Sequence, residues 1–189
     1  MAGEETGMWI EMNEKCICAI IGHKSKDIPL ADASSLYRIK LKELITQELL
    51  ELLNGGVFTY LCGMDDGTDL ICCEILLGLK RMYPKIFLEC VIPFADQPKF
   101  WLSENREKYF QILEKCDKEN VMQKKYTNDS YLKRNIYLAS KADIILAVSK
   151  LGRLSRAETT LPFAGAAGKK LILIHPKNLT CKKFDQFKF

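Results

Sequence analysis

The sequence predicts an α/β fold, a mostly parallel sheet covered by helices on both faces. Short apolar runs with strand composition recur along the chain. Segments of helical length and pattern stand between them, and no internal repeat, low-complexity tract or linker interrupts the series. Strands that are apolar at nearly every position are buried on both faces, and their alternation with helices marks parallel crossover units.

The predicted strands are Cys16–Ile21, Val57–Cys62, Ile86–Ile92, Asp143–Val148 and Lys170–His175, with Asn120–Gln123 as one more short candidate. Leu36–Leu53 carries apolar residues at three- and four-residue spacing and stops at Asn54-Gly55-Gly56, a C-terminal cap signature. Thr68–Met82 stops before Pro84, and Lys99–Lys115 is amphipathic. Ser130–Lys141 starts from the capping-rich Asn128-Asp129-Ser130, and a shorter helix is expected over Arg156–Ala167 with Gly168 at its end. At 189 residues the chain reads as one domain, its core spanning about 16–176 between short N- and C-terminal tails.

Hydrophobic residues at 48% with 28% charged exclude a disordered chain. The 28 basic and 24 acidic residues leave a net charge of +4, which argues against nucleic acid as a partner held by overall charge. The acidic start lacks a basic region followed by an apolar one, and no apolar run approaches the ~20 residues that span a bilayer. The eight cysteines include no CxxC pair, and the only histidines are His23 and His175, so neither a zinc site nor a disulfide framework is expected. The expectation is a cytoplasmic protein with reduced thiols, no metal and no membrane partner.

In a parallel sheet, ligands sit beyond the carboxyl ends of the strands. That directs attention to four segments. Gly63–Asp69 ends the second strand and opens a helix. Its glycines allow close backbone approach, and the helix N-terminus favours an anion. It is neither a Walker A loop, nor a GxGxxG fingerprint, nor a calcium loop. A capped strand–helix junction explains the same residues, and spacing alone leaves both readings open. Gly22-His23-Lys24 ends the first strand, where His23 and Lys24 can meet phosphate or a base, though a lone His there is more often a structural hydrogen-bonder. Pro93–Trp101 supplies Gln97 for a base edge, and Trp101 for stacking; Phe94 is read as core. Arg134-Asn135 suits a phosphate and a ribose or base, and Tyr131 beside it reads as packing. After the fifth strand, Ser155-x-x-Glu158 forms a capping box, and the same helix start offers amides to a second phosphate.

Taken together, IIGHK, NGGVFTYLCGMDDGTDLICCEILLGLK, CVIPFADQPKFW, the Arg134-Asn135 pair and KADIILAV resemble the YpsA-like branch of the SLOG superfamily, over roughly Cys16 to His175. The resemblance implies a Rossmann-like three-layer sandwich and a site for nucleotide-derived ligands such as NAD, ADP-ribose species or cyclic signalling nucleotides. Relatives include cytokinin-activating phosphoribohydrolases, the DNA-processing protein DprA and sensor domains of bacterial immune effectors. The family's motifs fall on Gly22, His23 and Lys24 (where the family has Arg), on Gly63, Met64, Gly67 and Asp69, on Pro93, Gln97 and Trp101, and on Arg134 and Asn135. After the fifth strand only Gly152, Ser155 and Glu158 keep the register of the hydrolase branch. Leu151 and Leu154 replace glycines that wrap a phosphate there.

The expected activity is therefore binding of a nucleotide-derived small molecule, as a sensor or sequestering sponge in immune signalling or its viral evasion, without a required cofactor. The amides of Gly63–Gly67, with Lys24 and Arg134, would take phosphates; Asp69 would hold ribose, and Gln97 with Trp101 the base. Gly152, Ser155 and Thr159 complete the ligand-binding set. The alternative is an N-glycosidic hydrolase in which Asp69 or Glu158 acts on a nucleoside monophosphate or NAD-like substrate. The resemblance also implies a homo-oligomer.

Overall fold

The structure, a computed structural model, describes residues 16–25, 35–150, 160–163, 165 and 167–186. Seven strands form one sheet in the order β4-β3-β2-β1-β5-β6-β7. In chain order they are β1 (Ile17–Gly22), β2 (Thr59–Cys62), β3 (Phe87–Ile92), β4 (Lys118–Val121), β5 (Ile144–Val148), β6 (Lys170–His175) and β7 (Thr180–Phe184). The first six pair in parallel, and β7 closes one edge antiparallel to β6. Strand order runs outward from β1 through β2, β3 and β4, then resumes on its other side with β5, so the reversal lies between β1 and β5.

Alternate side chains of each central strand enter two separate cores, which is why the strands read as continuous apolar runs. Cys18 and Ile20 of β1, with Ile144, Leu146 and Val148 of β5, pack beneath α1 (Ser35–Asn54), α2 (Thr68–Leu79) and α3 (Ser103–Leu113). Ala19 and Ile21, with Ile145 and Ala147, meet Leu138 of α4 (Ser130–Lys141) on the opposite face. This is the Rossmann-like three-layer sandwich expected.

Helix α1 buries Leu41, Ile45, Leu49 and Leu52 completely, a stripe at three- and four-residue spacing. It ends as predicted: Gly55 N donates to Glu51 O at 2.9 Å, and Gly56 takes φ 88°. Four elements differ from expectation. α2 ends at Leu79, with residues 80–82 in a turn, and α3 begins only at Ser103. β4 lies two residues earlier than expected because its register is set by pairing with β3, Glu89 opposite Lys118. β7 was not foreseen. Of the helix expected over Arg156–Ala167, residues 160–163 are helical, and residues 151–159 lie outside the described ones.

Candidate functional site

The carboxyl ends of β1 and β2 are fastened directly to each other. Thr68 N and Thr68 Oγ1 both donate to His23 O, at 3.1 and 3.2 Å. Ser25 N and Ser25 Oγ donate to Asp66 O and Asp66 Oδ2, at 3.0 and 2.9 Å. This contact requires two glycines. A Cβ on Gly22 would lie 1.7 Å from Thr68 Oγ1, and one on Gly67, whose φ is +121°, would lie 2.4 Å from His23 O. His23 is buried, and its Nε2 accepts from Lys150 N at 3.0 Å, so it joins the ends of β1 and β5. That bond assigns the ring proton to Nδ1.

Beneath the β2–α2 loop lies a buried polar network. Arg134 Nη1 donates to Gly63 O at 2.7 Å and pairs with Asp65 Oδ2 at 2.9 Å. Its Nε and Nη2 donate to Asn135 Oδ1 at 3.1 and 2.8 Å. Arg134, Asp65, Asn135 and Asp69 are all at most 2% exposed. Burial lowers and Asp65 raises the Arg134 pKa, with a net rise, so the guanidinium is charged throughout. Asp69 Oδ2 accepts from Asp65 N at 3.2 Å. Burial and then the neighbouring Asp65 charge push its carboxyl up to about 8, against the opposing pull of Arg134, so Asp69 is protonated near neutral pH.

These contacts correct two sequence expectations. Arg134 does not present its guanidinium outward to a phosphate; it holds the loop from behind, because its charge is matched by Asp65. Met64, with φ 55°, has a fully buried side chain whose Sδ lies 3.9 Å from Cys73 Sγ, so that side chain belongs to the core. Within the Gly63–Gly67 loop, the Asp65 amide is likewise taken by Asp69. Gly152, Ser155, Glu158 and Thr159 lie outside the described residues.

Alongside this closed junction a cavity of about 570 Å³ opens between the loops that follow β1, β3 and β4. Phe94, Phe100, Trp101, Tyr126 and Tyr131 supply its rings, Lys24, Lys99 and Lys125 its cations, and Asp96 and Gln97 its acceptors. The two outer loops are tied by Ala95 N donating to Gln123 O at 3.3 Å. Phe94 packs edge-on against Tyr126 and Tyr131, with centroids 5.3 and 5.7 Å away, and Arg134 stacks over Tyr131 at 5.4 Å. Phe100 and Tyr126 are 91% and 56% exposed, so two large rings stand at the rim in water. Lys24 also reaches Asp66, at 4.0 Å.

Lys24, Gln97 and Trp101, expected from sequence, thus meet in one cavity, while Pro93 is buried beside it. Lys99, Phe100, Lys125, Tyr126 and Tyr131 were missed as lining residues. A signal existed: a Lys-aromatic dipeptide follows both β3 and β4, the basic–aromatic interleaving that suits stacked anionic ligands. A hollow of about 610 Å³ along α1 is lined by that helix alone, with no aromatic ring among its lining residues. Among the described residues no cluster of His, Cys, Asp or Glu is arranged for a metal ion, and no helix is long and apolar enough to cross a membrane.

Known proteins resemble this chain in sequence and in fold. A family model described as the YspA SLOG family matches residues 18–156. The UPF0398 protein BH1768 of Halalkalibacterium halodurans is 27% identical over 134 residues, covering 70% of this chain and 71% of its own. Among solved structures, DNA processing protein A from Helicobacter pylori, described for its single-stranded DNA binding mode, superposes with a TM-score of 0.56 at 17% identity, over 92% of this chain and 69% of its own. DNA processing protein A from Streptococcus pneumoniae gives 0.54 at 12% identity over 85% of this chain, which spans only 50% of the streptococcal one. At these identities the structural matches speak for the fold.

Proposed function

This chain belongs to the YspA SLOG family, and on that premise we propose that it binds a nucleotide-derived small molecule in the aromatic cavity, without an obligatory chemical step. The observation that carries this reading is the juxtaposition of five rings and three lysines in one cavity beyond the strand ends. The rings suit a base, and Lys24, Lys99 and Lys125 suit phosphates as point charges. The reading covers linear species of the NAD and ADP-ribose type and cyclic nucleotides, and the role of a sensor or a sequestering protein for such a signal, in immune signalling or its viral evasion. Association of copies into a homo-oligomer is part of the proposal and is checked by light scattering on the purified protein.

One observation favours the hydrolase as a second reading. Asp69 is a buried carboxyl held protonated near neutral pH, the state a general acid needs, and its Oδ1 meets no hydrogen-bond donor among the described residues. Against this, Asp69 does not line the cavity. Single-stranded DNA, which the Helicobacter protein's description names, is a third possible ligand for exposed rings flanked by lysines.

A depletion assay read by mass spectrometry separates these. The protein is incubated with NAD, ADP-ribose, cyclic ADP-ribose isomers, cyclic dinucleotides, AMP and a short oligonucleotide, the free fraction is quantified, and the bound fraction is released by heat. A small nucleotide that disappears and returns intact supports the binding reading. Return as free base plus sugar phosphate establishes the hydrolase. Depletion of the oligonucleotide alone replaces the small ligand with nucleic acid.

A further inference from the structure

The orientation of one amide narrows the ligand class, an inference that rests on the cavity reading above. Of the residues lining the cavity only Phe94 and Gln97 are buried, so Gln97 is the polar group at its inner end. Gln97 Nε2 donates to Met64 O at 2.9 Å and lies 3.5 Å from Asp65 Oδ1. Both neighbours are acceptors. The amide therefore cannot be turned over: its nitrogen must face the β2–α2 loop. Oε1 is left buried, with no donor among the described residues. An acceptor in that position is costly to leave unmet, and a cavity that keeps one is suited to a ligand that brings the donor.

The other acceptors lining the cavity, Asp96 and the hydroxyls of Tyr126 and Tyr131, belong to exposed or half-buried residues, whereas Gln97 Oε1 is buried. Lys24, Lys99 and Lys125 are donors only, and read anions and ring acceptors. Asp96 is an acceptor but is exposed to water at the mouth. We propose that Gln97 is the specificity-determining residue of the cavity and selects a ring bearing an exocyclic amine, as in an aminopurine nucleotide, over a ring without that N–H. A site with a buried acceptor discriminates against an analogue lacking the matching donor because the acceptor is then stranded.

The test compares AMP with purine riboside 5′-monophosphate, the same nucleotide without its amine, by calorimetric titration of wild-type protein and of Gln97→Met. Wild type is expected to bind AMP about tenfold more tightly or better, and the gap is expected to close in Gln97→Met. Equal affinities in wild type, or a gap that survives in Gln97→Met, overturns the assignment to Gln97 while leaving the cavity a nucleotide site. Binding of neither nucleotide to folded wild-type protein overturns the cavity reading for adenine nucleotides, and this inference with it. Should Gln97→Met fail to melt cooperatively, Gln97→Leu is titrated in its place, and equal wild-type affinities overturn the assignment whatever either variant does.

Discussion

The two regions at the carboxyl ends of the strands use polar side chains in opposite ways. At the β1–β2 junction they are turned inward: Arg134, Asp65, Asn135 and Thr68 are buried and bonded to one another or to backbone. Along the neighbouring cavity, Lys99, Phe100, Lys125 and Tyr126 are exposed at the rim. The first region contains most of the charged and glycine motif residues; the second contains most of the surface a ligand could touch. Motif residues of the first kind shape the loop that carries Met64 O and Asp65, and through Gln97 that loop supports the inner end of the cavity. On the proposed reading, binding depends on both regions, and substitutions in the first are expected to cost more stability than substitutions at the rim of the second.

Substitutions can separate these roles. The largest effect is expected from Arg134→Ala, which strands the buried Asp65 carboxylate; a loss of about 3–5 kcal/mol is expected for breaking such a pair, measured by denaturant unfolding. An effect within experimental error would mean the network is not the support described here. Gly67→Ala follows, since a side chain at φ +121° also collides with His23 O; it should cost about 1–3 kcal/mol, and thermal melting reads it.

Asp69→Asn sharpens the comparison through pH. The Asp69 pKa is raised on folding, from the ordinary carboxylate range to about 8. The folded state therefore holds a proton that the unfolded state releases, and this group's stabilisation is lost as pH rises through that window. The wild type should lose stability relative to Asp69→Asn by at most about 1.4 kcal/mol per pH unit between those limits, then run parallel to it above. A stability difference that does not change with pH refutes a neutral, buried Asp69. The smallest effect on stability is expected from Phe100→Ala, within about 0.5 kcal/mol for an exposed side chain. Its effect on a bound nucleotide should be larger, roughly 1–3 kcal/mol of stacking. Unchanged affinity would remove Phe100 from the site.

Most of the architecture was legible in the chain. Cys18–Ile21 and Ile144–Val148 are apolar at successive positions because both faces of a central strand are buried, and that pattern is local. β7 was not legible: Thr-Cys-Lys-Lys-Phe has no run to distinguish it, and only pairing with β6 makes it a strand. Lysines on such an edge also discourage further pairing. β4, equally polar, was placed two residues late for the same reason.

The candidate site divides similarly. Gly22, Gly67, Lys24, Gln97 and Trp101 could be singled out because glycine spacing and strand-end position are written along the chain. Whether Arg134 reaches a ligand could not, because its partner Asp65 lies 69 residues away. Tyr131 reads as packing, and does pack against Phe94, yet the same ring also lines the cavity.

By itself, then, the sequence determined the alternation of strands and helices, the two-sided burial of the sheet and the strand ends at which chemistry gathers, since each follows from local periodicity and backbone freedom. Only the tertiary structure decided which polar groups face inward and which face the cavity, because the partner that satisfies a charge, or the backbone that crowds a glycine, is set by contacts between segments distant in the chain.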